Sequence, residues 1–89
     1  MKNRQHLARI HELPCVLCKA LGIEQTTHTQ AHHIREGQGM AQRAQDVLTV
    51  ALCEEHHQGR RGIHGDRSAL RQAKADELDL LAWTLEAIL

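Results

Sequence analysis

Two short spacings constrain the fold of this 89-residue chain more than any other feature. Cys15 and Cys18 enclose two residues in "PCVLCK", and Cys53 and His56 enclose two residues in "LCEEHH". An x-x spacing lets one tight turn direct both side chains to a common point. Two such turns supply the four soft or borderline ligands that tetrahedral Zn²⁺ prefers. The spacing therefore predicts a closed structural zinc site formed by these four residues.

The shortage of large apolar residues strengthens the prediction of a structural zinc site. The sequence has no Phe, no Tyr and one Trp, and a domain of this size is only marginally stable without a metal, a disulfide or a partner. The alternative is that the three cysteines are small buried apolar residues and that His56 is merely exposed. An odd number of cysteines argues against a disulfide framework, and the polar start "MKNRQHLARIHEL" predicts no signal peptide. We therefore expect a protein of a reducing, cytoplasmic compartment.

The hydrophobic pattern indicates helices towards both ends of the chain and a pair of strands between them. The predicted helices cover residues 3–13, 67–74 and the segment after Asp76, with Asn3, Asp66 and Asp76 as N-caps. The predicted strands cover residues 28–34 and 47–52, and the connecting segments, residues 19–27 and 35–45, are predicted as turns or loops. One helical turn is expected after Cys53.

The last predicted helix has an amphipathic spacing. Its apolar face would consist of Leu78, Leu81, Ala82, Leu85 and Ile88. Trp83 is interpreted as a core residue rather than a platform for base stacking. Residues 1–89 are thus predicted to form a single small α+β domain, stapled by zinc and ending in an amphipathic helix.

Three histidines near the zinc ligands and one in a later loop cannot belong to that closed site. His32 and His33 end a predicted strand, where successive side chains point to opposite faces, so a twist or bulge would be needed to bring both to one cleft. His57 follows the ligand His56 and would be held rigidly, and His64 lies in a glycine-rich loop that could fold back. The alternative is that these are ordinary polar loop histidines. As a group beside a zinc site, they favour a functional cleft.

The order of these residues resembles that of a known family. The Cys-x-x-Cys pair, a strand ending in "HHI", an acidic residue before a second strand, and "LCxxHH" are similar to the HNH nucleases with their ββα-metal finger. More narrowly, "AHHIREGQGM" and "LCEEHHQGRRGIHG" resemble the phage recombination-enhancement (Ref) nucleases, which act on DNA within RecA filaments. The resemblance covers nearly the whole chain, from "HLARIHELPCVLC" to the last helix. It implies an intracellular, bacterial or phage-encoded DNA endonuclease that hydrolyses phosphodiester bonds, with DNA and the RecA filament as partners.

The resemblance also implies roles for individual residues. His33 is the general base that accepts a proton from the attacking water. Asp46, standing near the usual Asn of the family pattern, would orient His33 through a hydrogen bond. A catalytic divalent metal (Mg²⁺, Mn²⁺ or Zn²⁺) would be held by His32 and His57, with His64 as a third ligand.

The charge balance leaves a second hypothesis open. The formal net charge is zero, so an anion site would depend on local arginines and on bound metal. The candidates for positioning a DNA backbone are Arg35, Arg43, Arg60 and Arg61. Their alternative is a solvated face. For the whole chain, the competing hypothesis is a non-catalytic zinc module that binds nucleic acid or the RecA filament.

Overall fold

The computed structural model describes residues 4–34 and 48–89. Within these ranges the elements are, in order, α1 (Arg4–Glu12), α2 (Val16–Leu21), β1 (Thr29–His33), β2 (Thr49–Cys53), α3 (Glu54–Gln58), α4 (Ser68–Ala73) and α5 (Glu77–Ile88). The two strands pair antiparallel. The protein is therefore a small α+β fold, which confirms the predicted class. The proposed cap Asn3, the predicted loop over residues 35–45 and the predicted strand start at Val47 lie outside the described residues.

Strand β2 lies at the centre of the fold. All of its residues are buried, because β1 covers one edge while helices α1, α2 and α5 pack against it. A strand covered on both faces has a continuous apolar sequence rather than an alternating one, which is why "VLTVAL" predicted it. The observed strand ends at Cys53, one residue later than predicted, so that β2 delivers this thiol directly into the core.

The segment after Cys15 is more helical than its sequence indicated. Residues 19–27 were predicted as a turn or loop, yet helix α2 runs from Val16 to Leu21. Cys15 is its N-cap, and the Cys15 Sγ atom accepts a hydrogen bond from the Cys18 N–H at 3.4 Å. The helix ends at Gly22, whose left-handed φ of 68° allows its N–H to reach the last carbonyls. Cysteine is not one of the usual N-cap residues, so the sequence pattern did not indicate that a helix begins after Cys15.

Helix α4 also begins differently from the prediction. Its N-cap is Arg67 rather than Asp66, and Arg67 has a left-handed φ of 62° with no side-chain capping hydrogen bond. Asp66 stands one residue earlier, and its Oδ1 atom accepts a hydrogen bond from the Ser68 N–H at 2.9 Å. The carboxylate thus satisfies the first helical N–H from outside the cap position, which shifts the helix start by one residue.

Helix α5 buries a face that only partly overlaps the predicted one. The capping box between Asp76 and Asp79 is present, which confirms Asp76 as the N-cap. However, Leu78 is 58% exposed, and the fully buried residues are Leu80 and Thr84. Ala82 and Leu85 of the predicted apolar face are also exposed, whereas its other members, Leu81 and Ile88, are partly buried against the core.

Thr84 is compatible with the core because both of its hydrogen-bonding capacities are used. Its Oγ1 atom donates to the Leu80 carbonyl at 2.8 Å and accepts from the Ala51 N–H of β2 at 3.3 Å. An apolar pattern cannot detect a hydroxyl satisfied in this way, so the predicted stripe was rotated around the helix. Trp83 is partly buried against the core, as interpreted. Among the described residues, no helix has the length and apolar character needed to cross a membrane.

Two candidate metal centres

The first centre is a buried cluster of three thiols and one imidazole. The His56 Nδ1 atom lies 3.6 Å from the Cys15 Sγ atom and 3.4 Å from the Sγ atoms of Cys18 and Cys53. The Cys18 and Cys53 Sγ atoms are 3.8 Å apart. Tetrahedral bonds of about 2.0–2.3 Å to zinc place ligand atoms roughly 3.5–3.8 Å from one another. The cluster could therefore bind a structural metal ion such as zinc.

Local structure explains why these four atoms converge. Cys15 precedes α2 and Cys18 lies on its first turn. Cys53 ends β2 and is also the N-cap of α3, so His56 follows it on the first turn of that helix. Each pair therefore combines a helix cap with a residue three positions later, and both caps point into the core.

The electrostatics of the cluster favour a bound cation. Burial raises the pKa of the Cys15 and Cys18 thiols, and repulsion from neighbouring thiolates adds to this effect. Burial also lowers the pKa of His56, so its imidazole is neutral at pH 7, as a metal ligand must be. Thiolates are costly in an apolar interior unless a cation compensates their charge.

The second centre consists of three histidines. One ring nitrogen from each of His32, His57 and His64 lies within 4.8 Å of the other two. The ring centroids are separated by 5.1 Å, 5.1 Å and 4.9 Å. His32 is buried, His57 is half-buried and His64 is exposed. In contrast to the closed thiol cluster, this group is open to solvent on one side.

The group lies in a cleft of about 680 Å³. The lining residues are Ala31, His32, His33, His57, His64, Arg67, Asp76, Glu77 and Leu78. This volume is in the range of ordinary ligand sites. His33 borders the cleft but is not part of the three-histidine group. The strand pairing runs without a bulge from Thr29 to His33, so the bulge considered for bringing His32 and His33 together is not used.

Glycines bring His64 back beside His57. After α3 the chain turns sharply, so that the Ile63 N–H donates to the His56 carbonyl at 2.8 Å and the His64 N–H donates to the His57 carbonyl at 3.2 Å. A Cβ atom on Gly62 would lie 2.4 Å from the His56 carbonyl oxygen, which is too close for any side chain. The turn therefore requires glycine there, and the folded-back loop considered for His64 is the one observed.

His57 has the protonation state and the tautomer that a metal ligand needs. Burial, followed by repulsion from His32 and His64, lowers its pKa to about 4, so the ring is neutral at pH 7. Its Nδ1 atom is 2.8 Å from the Gln30 Oε1 atom. An amide oxygen only accepts, so Nδ1 carries the proton and Nε2 keeps its lone pair.

A carboxylate beside His32 was missed by the sequence analysis. The Glu77 Oε2 atom lies 3.6 Å from the His32 Nε2 atom, and its Oε1 atom lies 3.5 Å from Arg67 Nη2. Metal-binding histidines commonly have such an outer carboxylate partner. Glu77 is the first residue of α5, where an acidic side chain is ordinary in any helix, so its sequence position gave no separate signal.

Of the remaining predicted site residues, the structure describes Arg60 and Arg61. Arg60 is exposed in the turn after α3. Arg61 is bound to α4, where its guanidinium donates to Ser68 Oγ at 3.1 Å and to Gln72 Oε1 at 2.7 Å. Both acceptors are neutral, so these contacts hold the side chain without cancelling its charge. The other predicted site residues lie outside the described ranges: Arg35, Arg43 and Asp46.

Comparison of the chain with protein-family models, with curated proteins and with solved structures found no match.

Replacement of His57 by alanine is expected to remove one metal ion per chain and leave the other. His57 belongs to the open group, whereas the preceding residue, His56, faces the thiol cluster. The measurement is metal content of the purified protein together with its circular dichroism spectrum. Gln58→Ala, at the next and exposed position of α3, is the matched control and should keep both ions. Loss of both ions in His57→Ala would mean that the two groups are one functional site or that the adjacent histidines are assigned in reverse.

Proposed function

We propose that this chain is a metal-dependent DNA endonuclease of the HNH type that hydrolyses phosphodiester bonds. The observation that carries the proposal is the pairing of a closed ligand cluster with an open one on adjacent residues, His56 and His57. Structural zinc sites are closed, whereas catalytic sites keep a position accessible to water and substrate. The cleft also holds His33, an additional imidazole beside the three-histidine group.

The residues of the open group fit a divalent ion by their chemistry. Imidazole nitrogens suit Zn²⁺ and other first-row transition metals, and Glu77 adds a carboxylate next to His32. His32, His57 and His64 would hold the ion. When bound, it would supply charge neutralisation at the phosphate oxygens that become more negative during cleavage.

In the proposed mechanism His33 acts as general base. A neutral imidazole accepts a proton from the attacking water near pH 7, which makes that water a better nucleophile towards phosphorus. Asp46 is proposed to orient His33, by the resemblance to the HNH pattern. His57 is held by its hydrogen bond to Gln30, and His32 is buried beside the Glu77 carboxylate, so both rings are restrained while the substrate backbone is positioned.

Four arginines are proposed to contact the phosphate backbone. Arg61 presents a positive charge from a fixed position, because its hydrogen bonds to Ser68 and Gln72 restrict its rotamers. Arg60 is exposed next to it and can adjust to the substrate. Arg35 and Arg43 are proposed for the same role from their sequence positions. These contacts position DNA without reading its sequence.

The alternative function is a non-catalytic zinc module that binds nucleic acid or the RecA filament. The observation that favours it over an endonuclease is the zero formal net charge, since a module that docks on a protein filament does not need the basic residues on which affinity for the DNA backbone depends. The thiol cluster would be sufficient for such a module, and the histidines of the cleft would have no chemical role.

Cleavage of circular DNA separates the two functions. We expect the purified protein to nick or linearise plasmid DNA with Mg²⁺, Mn²⁺ or Zn²⁺, tested with and without RecA and ATP. Metal analysis should find two ions per chain. A protein that binds DNA or RecA filaments but cuts under none of these conditions, and that carries one ion, would support the module instead.

A further inference from the structure

One face of strand β1 carries a row of polar side chains. Successive strand residues alternate between faces, so Gln30 and His32 share one face, and His28, just before the strand, continues the row. The opposite face carries Thr29, which is buried and donates its hydroxyl to the Leu13 carbonyl at 2.6 Å. The row therefore lies on the face of the strand opposite to Thr29.

Helix α3 presents a matching row to this face. Glu54 and His57 are three residues apart and so lie on the same side of the helix. The Glu54 N–H donates to the His28 carbonyl at 2.9 Å, which fixes the start of the helix against the start of the strand. Glu54 consequently faces His28, while His57 faces Gln30 and His32.

Along the contacts between the two rows, the hydrogen-bond donors and acceptors are mutually consistent. The His57 Nδ1–H donates to Gln30 Oε1 at 2.8 Å. The other end of that amide, the Gln30 Nε2 atom, lies 3.4 Å from the His28 Nε2 atom. An amide nitrogen only donates, so His28 Nε2 accepts and its proton sits on Nδ1, which lies 3.8 Å from the Glu54 Oε2 atom. Each contact supports the orientation of the next.

We propose that Gln30 is a positioning residue that selects the tautomer in which His57 can bind a metal ion. This inference rests on the proposed metal site of His32, His57 and His64. With Gln30 Oε1 as acceptor, the His57 proton is held on Nδ1 and the Nε2 lone pair is directed towards the open group. With that acceptor absent, water competes for both ring nitrogens and the ring loses its fixed orientation. Outer partners of this kind typically contribute about 10–100-fold to metal affinity.

His28 contributes to this arrangement through Gln30. By accepting from the Gln30 Nε2 atom, it favours the amide orientation that points Oε1 at His57. The observed partners of His28 are Gln30 and Glu54. The side chains of His28 and Glu54 are 69% and 53% exposed, so solvent screens the interaction between them. The His57 tautomer therefore depends mainly on Gln30.

The experiment compares two substitutions of Gln30 in protein that carries one zinc ion in the thiol cluster. Gln30→Met keeps the length of the side chain and removes the acceptor, whereas Gln30→Glu keeps an acceptor facing His57 and removes the donor to His28. Binding of Zn²⁺ to the open group is measured by competition with a chromogenic chelator. We expect Gln30→Met to weaken this binding about 10–100-fold, and Gln30→Glu to bind as tightly as wild type or more tightly.

A spectroscopic readout separates tautomer control from a merely structural role. Long-range proton–nitrogen correlation spectra of the one-zinc protein should show His57 as the Nδ1–H tautomer in wild type and in Gln30→Glu. In Gln30→Met the Nε2–H tautomer should gain population. Gln58→Met, on the exposed side of α3 next to His57, is the matched control and should change neither the tautomer nor the affinity.

The outcomes distinguish this inference from the proposed function. Unchanged affinity and an unchanged His57 tautomer in Gln30→Met would overturn the role of Gln30 while leaving the metal site intact. A loss of affinity in Gln30→Glu equal to that in Gln30→Met would overturn the acceptor argument even if Gln30→Met folds poorly. A wild-type protein that binds no second ion would overturn both the inference and the site on which it rests.

Discussion

Replacement of Cys53 by serine is expected to unfold the domain. Cys53 belongs to both the fully buried core and the thiol cluster, and a hydroxyl is a poor replacement for a thiolate at zinc. Binding of structural zinc contributes on the order of 10 kcal/mol to the folding of small zinc domains, which exceeds what a core lacking Phe and Tyr can offset. The measurement is thermal unfolding followed by circular dichroism, with zinc content determined in parallel.

A neighbouring core substitution provides the control. Leu52 is as buried as Cys53 but offers no ligand atom, so Leu52→Val removes one methylene at a cost of about 1 kcal/mol. It should lower the melting temperature modestly and retain zinc. If Cys53→Ser, after treatment with a chelator, melted like the wild-type protein, the thiol cluster would have no structural metal role.

Replacement of His33 by alanine is expected to abolish DNA cleavage while leaving the fold, the metal content and DNA binding nearly unchanged. A general base acts on the transition state and contributes little to ground-state binding, so its loss should lower the cleavage rate by about 10²–10⁴-fold. His33 borders the cleft but lies outside both ligand groups. The assay follows conversion of supercoiled plasmid under the conditions in which wild-type protein cuts.

His57→Ala is the informative comparison for this variant. Both substitutions should stop cleavage, but only His57→Ala should also reduce the metal content. If His33→Ala cuts as fast as wild type, His33 is not the base, and His64 or Asp46 becomes the next candidate. If His33→Ala loses a metal ion, His33 acts as a ligand rather than as a base.

The sequence predicted those features that depend on spacing and local pattern. The thiol cluster was predicted from two x-x spacings, β2 from a continuous apolar run, and the start of α5 from Asp76. Each of these signals is local, because a cap, a turn or a short strand is determined by residues a few positions apart. The α+β class followed from the same elements.

The features that were missed depend on contacts between distant segments. Thr84 is buried because it meets the Ala51 N–H of β2, and the apolar pattern of α5 alone pointed to Leu78 and Leu85 instead. Gln30 and Glu77 touch two histidines of the cleft, yet a glutamine in a strand and a glutamate at a helix start are unremarkable in sequence. The approach of α3 to β1 and of α5 to the cleft gives these residues their roles.

The adjacency of His56 and His57 links the two centres by a single peptide bond. Helix α3 is held by Cys53 and His56 in addition to its contacts with β1, so the assembled thiol cluster helps to aim His57 at the cleft. We therefore expect loading in a fixed order, with the thiol cluster filled first and the open group competent only afterwards. Because such coupling is reciprocal, an ion in the cleft should in turn slow the escape of zinc from the core. Oxidation of one thiol would then prevent metal binding in the cleft without changing any of the cleft's own residues.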